Sequence, residues 1–169
     1  MRLLFLLHAK SDSDDEVLAD IERQLNARGK AASVTMARFM RDQKLQPSVG
    51  LCSTSLRTRE TLARLLPYLP QEAHIELISD LYWKSEDGYG AIIRKYGHRA
   101  KTLMVIGHNP AMEDTAFDLV GTSAPETLAE LEEKYPTAAH AVIEFDITDW
   151  SELGSGTGHL ERIIKPRDL

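Results

Sequence analysis

The chain has 169 residues, a length typical of one domain, and we predict a single domain over residues 1–169. Hydrophobic residues make up 43% of the sequence and charged residues 27%, a balance that excludes a disordered chain. Lys and Arg total 20 against 26 Asp and Glu, and the net charge is −6. Since duplex nucleic acid is held mainly by clustered Lys and Arg, we expect no nucleic-acid partner.

The sequence carries no signal for a membrane or for export. Its apolar runs stay well short of the roughly 20 residues that span a bilayer. The apolar opening at 2–7 stops at His8 and Lys10, without the small residues of a signal-peptide cleavage site. The single cysteine, Cys52, cannot form an internal disulfide. We therefore expect a cytoplasmic protein with no membrane partner.

The amino-terminal part predicts one strand and two helices. The continuous apolar run 2–7 is typical of a strand that is buried on both faces. Gly29 suits the C-cap of a first helix, and a second helix is predicted over about 31–42. The first helix is predicted from apolar residues at helical spacing, which are Val17, Leu18, Ile21 and Leu25.

The middle of the chain alternates between predicted strands and helices. One helix runs from about 56 to 66 and ends at Pro67. A later helix, closed by Gly97, is predicted from the spaced residues Tyr89, Ile92, Ile93 and Tyr96. The strands of this part are predicted at 49–52, 75–78 and 102–106.

After the strand at 102–106, Asn109 suits the N-cap and Pro110 the first position of a helix. This helix is predicted to reach about Val120 and to be closed by Gly121. The remaining predicted elements are a helix over about 125–134, strands at 141–147 and 159–164, and a hairpin-like connection at 154–158.

The alternation of strands and helices predicts an α/β fold. Its form is a three-layer αβα sandwich with a mostly parallel central sheet. The last two strands have no helix between them, so one strand is predicted to be antiparallel. In such sheets, ligands bind beyond the carboxyl ends of the strands.

Polar side chains follow three of the buried strands. His8 follows the first, Ser53 and Arg57 follow the second, and His108 follows the third. Each alone is typical of a structural role, but together they suit phosphoryl transfer. A neutral His8 can attack phosphorus, and Arg57 can hold two phosphoryl oxygens. A protonated His108 can stabilise the charge of the transition state.

Two other chemistries are open at these residues. Cys52 and Arg57 are similar to the Cys-x5-Arg loop of cysteine phosphatases, but only four residues separate them. A buried structural cysteine is the simpler interpretation. His8, His108 and nearby acids could hold a metal ion, although their spacing matches no standard metal motif. We predict neither a metal nor a cofactor.

Four segments resemble the histidine phosphatase (phosphoglycerate mutase-like) superfamily, and the resemblance covers nearly the whole chain. Three are residues 6–11 (Leu-Leu-His-Ala-Lys-Ser), 53–61 (Ser-Thr-Ser-Leu-Arg-Thr-Arg-Glu-Thr) and 107–110 (Gly-His-Asn-Pro). Residues 23–29 (Arg-Gln-Leu-Asn-Ala-Arg-Gly) are similar to the Arg-Pro-Leu-Asn-x-Arg-Gly segment of the short SixA-type phosphohistidine phosphatase branch.

The resemblance implies an αβα sandwich with three catalytic residues. His8 corresponds to the nucleophile, Arg57 to the phosphate-binding arginine and His108 to the second histidine of the pocket. The further phosphate-binding candidates are Arg23, Lys10, Ser11 and Asn109.

The chain departs from the family directly before the nucleophile. Leu7 stands where family members have an arginine, which removes a charge-assisted contact to phosphate. Lys10 or Arg23 could supply the missing charge. Alternatively, the protein binds phosphate without turning it over.

A second departure concerns the general acid. Phosphomonoesterases of the superfamily typically use a carboxylate to protonate the leaving alkoxide. Asp80, Glu86 and Asp87 lie in the segment from which such a group could come, but residues 82–84 (Tyr-Trp-Lys) lack the expected acid. Because an imidazole leaves more easily than an alkoxide, this absence favours phosphohistidine over a sugar phosphate as the substrate.

Two further groups of residues have an open interpretation. The aromatic residues Tyr82, Trp83, Tyr89 and Tyr96 are interpreted as core residues rather than as a rim for a partner. The acidic residues Asp12, Asp14, Asp15 and Glu16 are interpreted as a solvated loop rather than as a site for a basic partner.

We therefore predict a metal-independent phosphatase that acts on protein phosphohistidine through a phosphohistidine intermediate on His8. The expected partner is a histidine-phosphorylated signalling protein of the phosphotransfer-domain type. One alternative is a phosphatase for a small phosphorylated metabolite. The other is a non-catalytic phosphate- or phosphoprotein-binding module, in which Leu7 in place of arginine reflects a loss of catalytic activity.

Overall fold

The computed structural model describes residues 1–12, 19–83, 88–133 and 135–169. Some predictions fall outside the described residues. They are Val17 and Leu18 of the first predicted helix, the acidic residues Asp14, Asp15 and Glu16, and the general-acid candidates Glu86 and Asp87.

Seven strands form one sheet within the described ranges, in the order β3-β2-β4-β1-β6-β7-β5. They are β1 (Arg2–Leu7), β2 (Val49–Ser53), β3 (His74–Ile78), β4 (Thr102–Gly107), β5 (Val120–Ser123), β6 (His140–Glu144) and β7 (Gly158–Ile164). Strand β6 runs antiparallel to β1 and β7, whereas the other pairs are parallel. The mostly parallel sheet with one reversed strand is confirmed.

The described α-helices cover both faces of this sheet. They are α1 (Ala27–Asp42), α2 (Leu56–Leu65), α3 (Asp80–Trp83), α4 (Gly90–Tyr96), α5 (Ala111–Leu119) and α6 (Pro125–Glu132). Side-chain caps define two of their starts: Asn26 accepts a hydrogen bond from the amide of Gly29 at 2.9 Å, and Ser55 accepts one from Thr58 at 3.4 Å.

Alternating residues of β1 divide the core into two clusters. Leu3 and Phe5 pack with residues of α4, α5 and α6, and Leu4 and Leu6 pack with residues of α1 and α2. Because successive side chains of a strand point to opposite faces of the sheet, the two clusters lie on either side of it. The three-layer αβα sandwich is therefore confirmed. None of the helices in the described ranges is long and apolar enough to cross a bilayer.

The prediction of a first helix is wrong for those of its residues that the structure describes. Asp20–Glu22 form a 3-10 turn, and Leu25 pairs with Ser11 in an isolated bridge. Gly29 is not a C-cap but lies in the first turn of α1. There a Cβ atom would come 2.1 Å from the carbonyl oxygen of Lys10. Close packing of α1 on the segment after β1 is what requires a glycine here.

Both capping predictions for α5 are wrong as well. Pro110 occupies the N-cap position, because the side chain of Asn109 donates to the carboxylate of Glu113 at 2.6 Å instead. At the other end, Gly121 lies in the edge strand β5, which the sequence did not predict. A Cβ atom on Gly121 would come 1.8 Å from the carbonyl oxygen of Gly156.

Candidate active site

Three neighbouring strands bring the predicted catalytic residues to one edge of the sheet. Strands β2, β4 and β1 are adjacent and parallel, so their carboxyl ends lie side by side. His8 follows β1, Ser53 ends β2 and His108 follows β4. Arg57 lies in the first turn of α2, directly after β2. The convergence predicted from the sequence is therefore present in the structure.

The hydrogen bonds of His8 set its tautomer. Its Nδ1 lies 2.8 Å from the carbonyl oxygen of Ala9, and because a carbonyl can only accept, Nδ1 carries the proton. The lone pair is then on Nε2, which accepts a hydrogen bond from Nε of Arg57 at 3.3 Å. Burial, together with the nearby charge of Arg57, lowers the pKa of His8 to about 4. His8 is therefore a neutral imidazole at pH 7.

His108 faces His8 across the site. The two ring centroids are 5.3 Å apart, and Nε2 of His108 lies 2.8 Å from the hydroxyl of Ser53. Its Nδ1 is buried and has no hydrogen-bond partner among the described residues. Burial, then the neighbouring charges of His8 and Arg57, lower the pKa of His108 to about 3. In the ligand-free protein His108 is therefore neutral at pH 7, whereas the role that the sequence suggests for it requires a protonated ring.

A tyrosine hydroxyl fixes the backbone at the end of β4. The amide of His108 donates to the hydroxyl of Tyr89 at 2.9 Å, and this hydroxyl donates to the carbonyl of Leu81 at 3.0 Å. Tyr89 is fully buried, so its interpretation as a core residue agrees with the structure. Its ring also occupies the space beside Gly107, where a Cβ atom would come 2.6 Å from it.

Arg57 is buried between His8 and Asp20. Its Nη1 donates to the backbone carbonyl of Asp20 at 2.7 Å, and its Nη2 donates to the Asp20 carboxylate at 3.0 Å. Only 6% of the Arg57 side chain is exposed, so the guanidinium is held in one orientation beside Nε2 of His8.

The carboxylate of Asp20 contacts three side chains at the site. Besides Arg57, it pairs with Arg23 at 2.7 Å and accepts a hydrogen bond from the hydroxyl of Tyr82 at 2.8 Å. Burial on its own raises the pKa of Asp20, but the Tyr82 hydrogen bond and the two arginine charges outweigh it, so the pKa is lowered. Asp20 is therefore ionised at neutral pH.

Sequence reasoning missed Asp20 and placed Tyr82 in the core. The available signal was the spacing of Asp20 and Arg23, which are three residues apart and pair in the structure. Tyr82 stands edge-on to His108, with ring centroids 5.5 Å apart, and Trp83 beside it is 68% exposed. These two rings therefore form a rim at the site rather than part of the core.

A cavity of about 390 Å³ opens at His8. Of the predicted phosphate-binding residues, Lys10 and Asn109 line it. The predicted site residues that are not among its lining residues are Ser11, Arg23, Arg57 and His108. The wall is completed by Leu7, Tyr135, Pro136 and Thr137. The amide nitrogen of Asn109 is engaged by Glu113 and its Oδ1 is buried without a described partner.

The structure argues against Cys52 as a nucleophile. Burial raises the pKa of Cys52 to about 12, and a protonated thiol is a poor nucleophile. Among the described residues, no group of three or more His, Cys, Asp or Glu side chains is arranged to hold a metal ion. The arrangement instead offers a neutral imidazole nitrogen, a buried guanidinium and a second imidazole around one position, which suits an oxyanion such as a phosphoryl group.

Comparison with known proteins supports this interpretation. No protein-family model matches the chain. An uncharacterized chloroplastic protein of Arabidopsis thaliana is 31% identical over 178 residues, which cover 98% of this chain and 78% of the relative. The solved structure of SixA from Agrobacterium tumefaciens is 27% identical and superimposes with a TM-score of 0.80 over 98% of this chain and 97% of that one.

A further solved structure was determined with tungstate, an oxyanion. It is the protein histidine phosphatase SixA, which is 22% identical and has a TM-score of 0.72 over 99% of each chain. At this identity the similarity supports the fold alone. Taken with the motifs of the sequence, these similarities show that the chain belongs to the histidine phosphatase superfamily and has the fold of its SixA phosphohistidine phosphatases.

Proposed function

We propose that this protein is a phosphatase that removes the phosphoryl group from protein phosphohistidine through a covalent intermediate on His8. The observation that carries the proposal is the hydrogen bonding of His8. Its Nδ1–H is bound by the Ala9 carbonyl, and the lone pair of Nε2 is directed to the guanidinium of Arg57. The nucleophilic atom and a phosphate-binding cation are thus adjacent before substrate arrives.

The reaction has two steps. The lone pair of Nε2 of His8 attacks phosphorus, and the P–N bond of the substrate breaks. The leaving imidazole keeps the bonding electrons and takes a proton from a water molecule, which becomes hydroxide. This hydroxide then attacks phosphorus, the electrons of the bond to Nε2 return to His8, and inorganic phosphate leaves. Arg57 supports both steps, because its charge offsets the negative charge of the equatorial oxygens.

The protonation state of Asp20 supports phosphohistidine as the substrate. Asp20 is the carboxylate that contacts Arg57, and its lowered pKa leaves it without a proton to donate at neutral pH. An alkoxide leaving group needs such a proton, whereas the imidazole of phosphohistidine leaves more easily. The absence of an expected acid at 82–84 agrees with this choice.

We propose a histidine-phosphorylated protein of the phosphotransfer-domain type as the partner, in the cytoplasm. The pocket at His8 opens to the surface, and the exposed residue Lys10 is among those that line it. A phosphohistidine on a protein surface can reach such a pocket, since the side chain projects beyond the backbone that carries it. Both the partner and the location are part of this proposal.

The test is phosphate release from a histidine-phosphorylated phosphotransfer protein without added metal. We expect release by the wild type and none by His8→Ala. His74→Ala, which changes an exposed histidine on β3, is the matched control and is expected to keep the wild-type rate. Turnover of a small sugar phosphate with no action on phosphohistidine would contradict the proposed substrate.

A non-catalytic binding module is the second candidate, and Leu7 is the observation that favours it. Leu7 is buried and packs in the core cluster with Leu3 and Phe5, so it offers phosphate no charge. In this case calorimetry would show that inorganic phosphate binds and that Arg57→Ala abolishes binding. Phosphate release would be absent from wild type and His8→Ala alike.

A further inference from the structure

A second cavity, of about 160 Å³, adjoins the pocket at His8. Lys10, Pro136 and Thr137 line both cavities, so the two lie side by side. Four cationic side chains line the second cavity, and we call it the basic cleft; they are Lys10, Arg28, Lys165 and Arg167.

The charge of the basic cleft is opposite to that of the protein. The net charge of the chain is −6, yet no acidic residue is among the residues that line this cavity. Lys10 and Arg28 are exposed, and neither forms an ion pair or a side-chain hydrogen bond with any part of the chain that the structure describes. Within the described ranges, both charges are therefore open to a ligand.

Backbone contacts fix the positions of residues that line the basic cleft. The carbonyl of Lys10 accepts a hydrogen bond from the amide of Asn26 at 3.0 Å, and Gly29 packs directly on the Lys10 backbone. This fixes Lys10 against the start of α1, which carries Arg28. The other two cations are paired within the chain. Only 6% of the Lys165 side chain is exposed, and it pairs with Glu130 at 3.3 Å and Glu133 at 3.5 Å. Arg167 is exposed and pairs with its neighbour Asp168 at 3.6 Å.

We propose that the basic cleft binds an acidic segment of the phosphorylated protein, next to the phosphohistidine that enters the pocket at His8. This inference rests on the proposed function and adds the chemistry by which the partner is recognised. Carboxylates beside the phosphohistidine would meet Lys10, Arg28 and Arg167, while the rest of the acidic surface repels an acidic partner. Such a pattern orients the encounter and makes its rate dependent on salt.

The test uses two synthetic phosphohistidine peptides that differ only in their flanking residues, glutamate in one and glutamine in the other. For the wild type, we expect kcat/KM to be about fivefold to tenfold higher with the glutamate peptide, the effect of two exposed ion pairs. In the double variant Arg28→Glu with Arg167→Glu, this preference should be lost while turnover of the glutamine peptide stays near the wild-type level.

The matched control is Arg38→Glu with Arg41→Glu. It makes the same change of charge at exposed positions of α1 away from the cleft and should keep the glutamate preference. The proposal is overturned if the wild type treats both peptides alike, or if the control loses the preference as fully as the cleft variant.

Calorimetry separates this proposal from the proposed function. If the wild type turns over neither peptide, the phosphatase proposal fails, and the affinity of the two peptides still decides the role of the cleft. Tighter binding of the glutamate peptide, lost in the cleft variant and kept in the control, supports the cleft. Equal binding of both peptides overturns it.

Discussion

The backbone carbonyl and the carboxylate of Asp20 both bind the guanidinium of Arg57, at 2.7 and 3.0 Å. The same carboxylate pairs with Arg23 at 2.7 Å, so one anion of the chain holds both arginines predicted to bind phosphate. An incoming phosphoryl group has similar oxygens and similar charge. It must therefore share these donors with Asp20 or displace it.

Replacing the Asp20 carboxylate with an amide tests this competition. We expect Asp20→Asn to bind inorganic phosphate about fivefold more tightly, because a negative charge beside the anion site is removed while hydrogen-bonding atoms remain. Calorimetry measures the affinity, and Glu22→Gln, an exposed neighbour in the same turn, is the control. Weaker phosphate binding by Asp20→Asn would mean that Asp20 orients the arginines rather than competing for them.

Removing the guanidinium of Arg57 should stop the reaction without unfolding the protein. We expect Arg57→Ala to lower kcat/KM for phosphohistidine by about a hundredfold to a thousandfold, the loss typical of a donor to transition-state charge. Thermal unfolding checks that the fold is intact. Arg59→Ala, two residues along the same helix and exposed, should react like the wild type. Unchanged kinetics in Arg57→Ala would refute its assignment.

Leu7 is the position where a charge can be restored. Its side chain is only 4% exposed and lines the cavity at His8, so an arginine there would keep its stem in the core and direct its head to the pocket. We expect Leu7→Arg to raise kcat/KM about tenfold and to lower the free energy of unfolding by about 1–3 kcal/mol. Leu7→Met is the control, because it changes the packing at this position without adding a charge. A lower kcat/KM in Leu7→Arg would mean that Lys10 or Arg23 already supplies the positive charge.

Two buried histidines, His108 and His140, and the partly buried His8 make stability depend on pH. Burial lowers the pKa of His8 to about 4, and of His108 and His140 to about 3, whereas an unfolded histidine has a pKa of about 6.5. As the pH falls below about 6.5, the unfolded chain takes up protons that the folded chain does not. The free energy of unfolding therefore decreases until the pH reaches the folded-state pKa values.

A substitution of His140 measures the contribution of one buried histidine to this pH dependence. Its ring is fully buried and both ring nitrogens lack a hydrogen-bond partner among the described residues. We expect urea unfolding of His140→Leu to show a shallower loss of stability near pH 5, by about 1.4 kcal/mol per pH unit. If the free energy of unfolding fell equally with pH in the wild type and the variant between pH 7 and 4, this explanation would be contradicted.

Burial and strand order explain why the catalytic residues could be predicted. The apolar runs before His8 and His108 are long and continuous, so their ends are evident, and parallel strands bring such ends to one edge. Arg57 follows β2 by only a few residues, so its place is set by local chain geometry. The fold and this trio therefore follow from patterns that lie within single segments.

Asp20, Gly29 and β5 depend on contacts between distant segments. Asp20 lies in a single 3-10 turn, which has no periodic pattern, and it meets Arg57 only because α2 packs beside that turn. Gly29 is required by the backbone of Lys10, and Gly121 by the backbone of Gly156. Such requirements arise from the folded arrangement, whereas the sequence alone predicts the commoner role of a glycine as a helix cap.

The direction of β6 decides which loop can diversify the pocket. Because β6 runs opposite to β1, it is the start of β6 that lies at the catalytic edge, and the connection that precedes it supplies Tyr135, Pro136 and Thr137 to the cavity. This connection carries none of the catalytic trio. Changes in its length or composition would therefore alter what the pocket accepts while leaving the reacting groups in place, which makes it the natural point at which to redesign substrate choice.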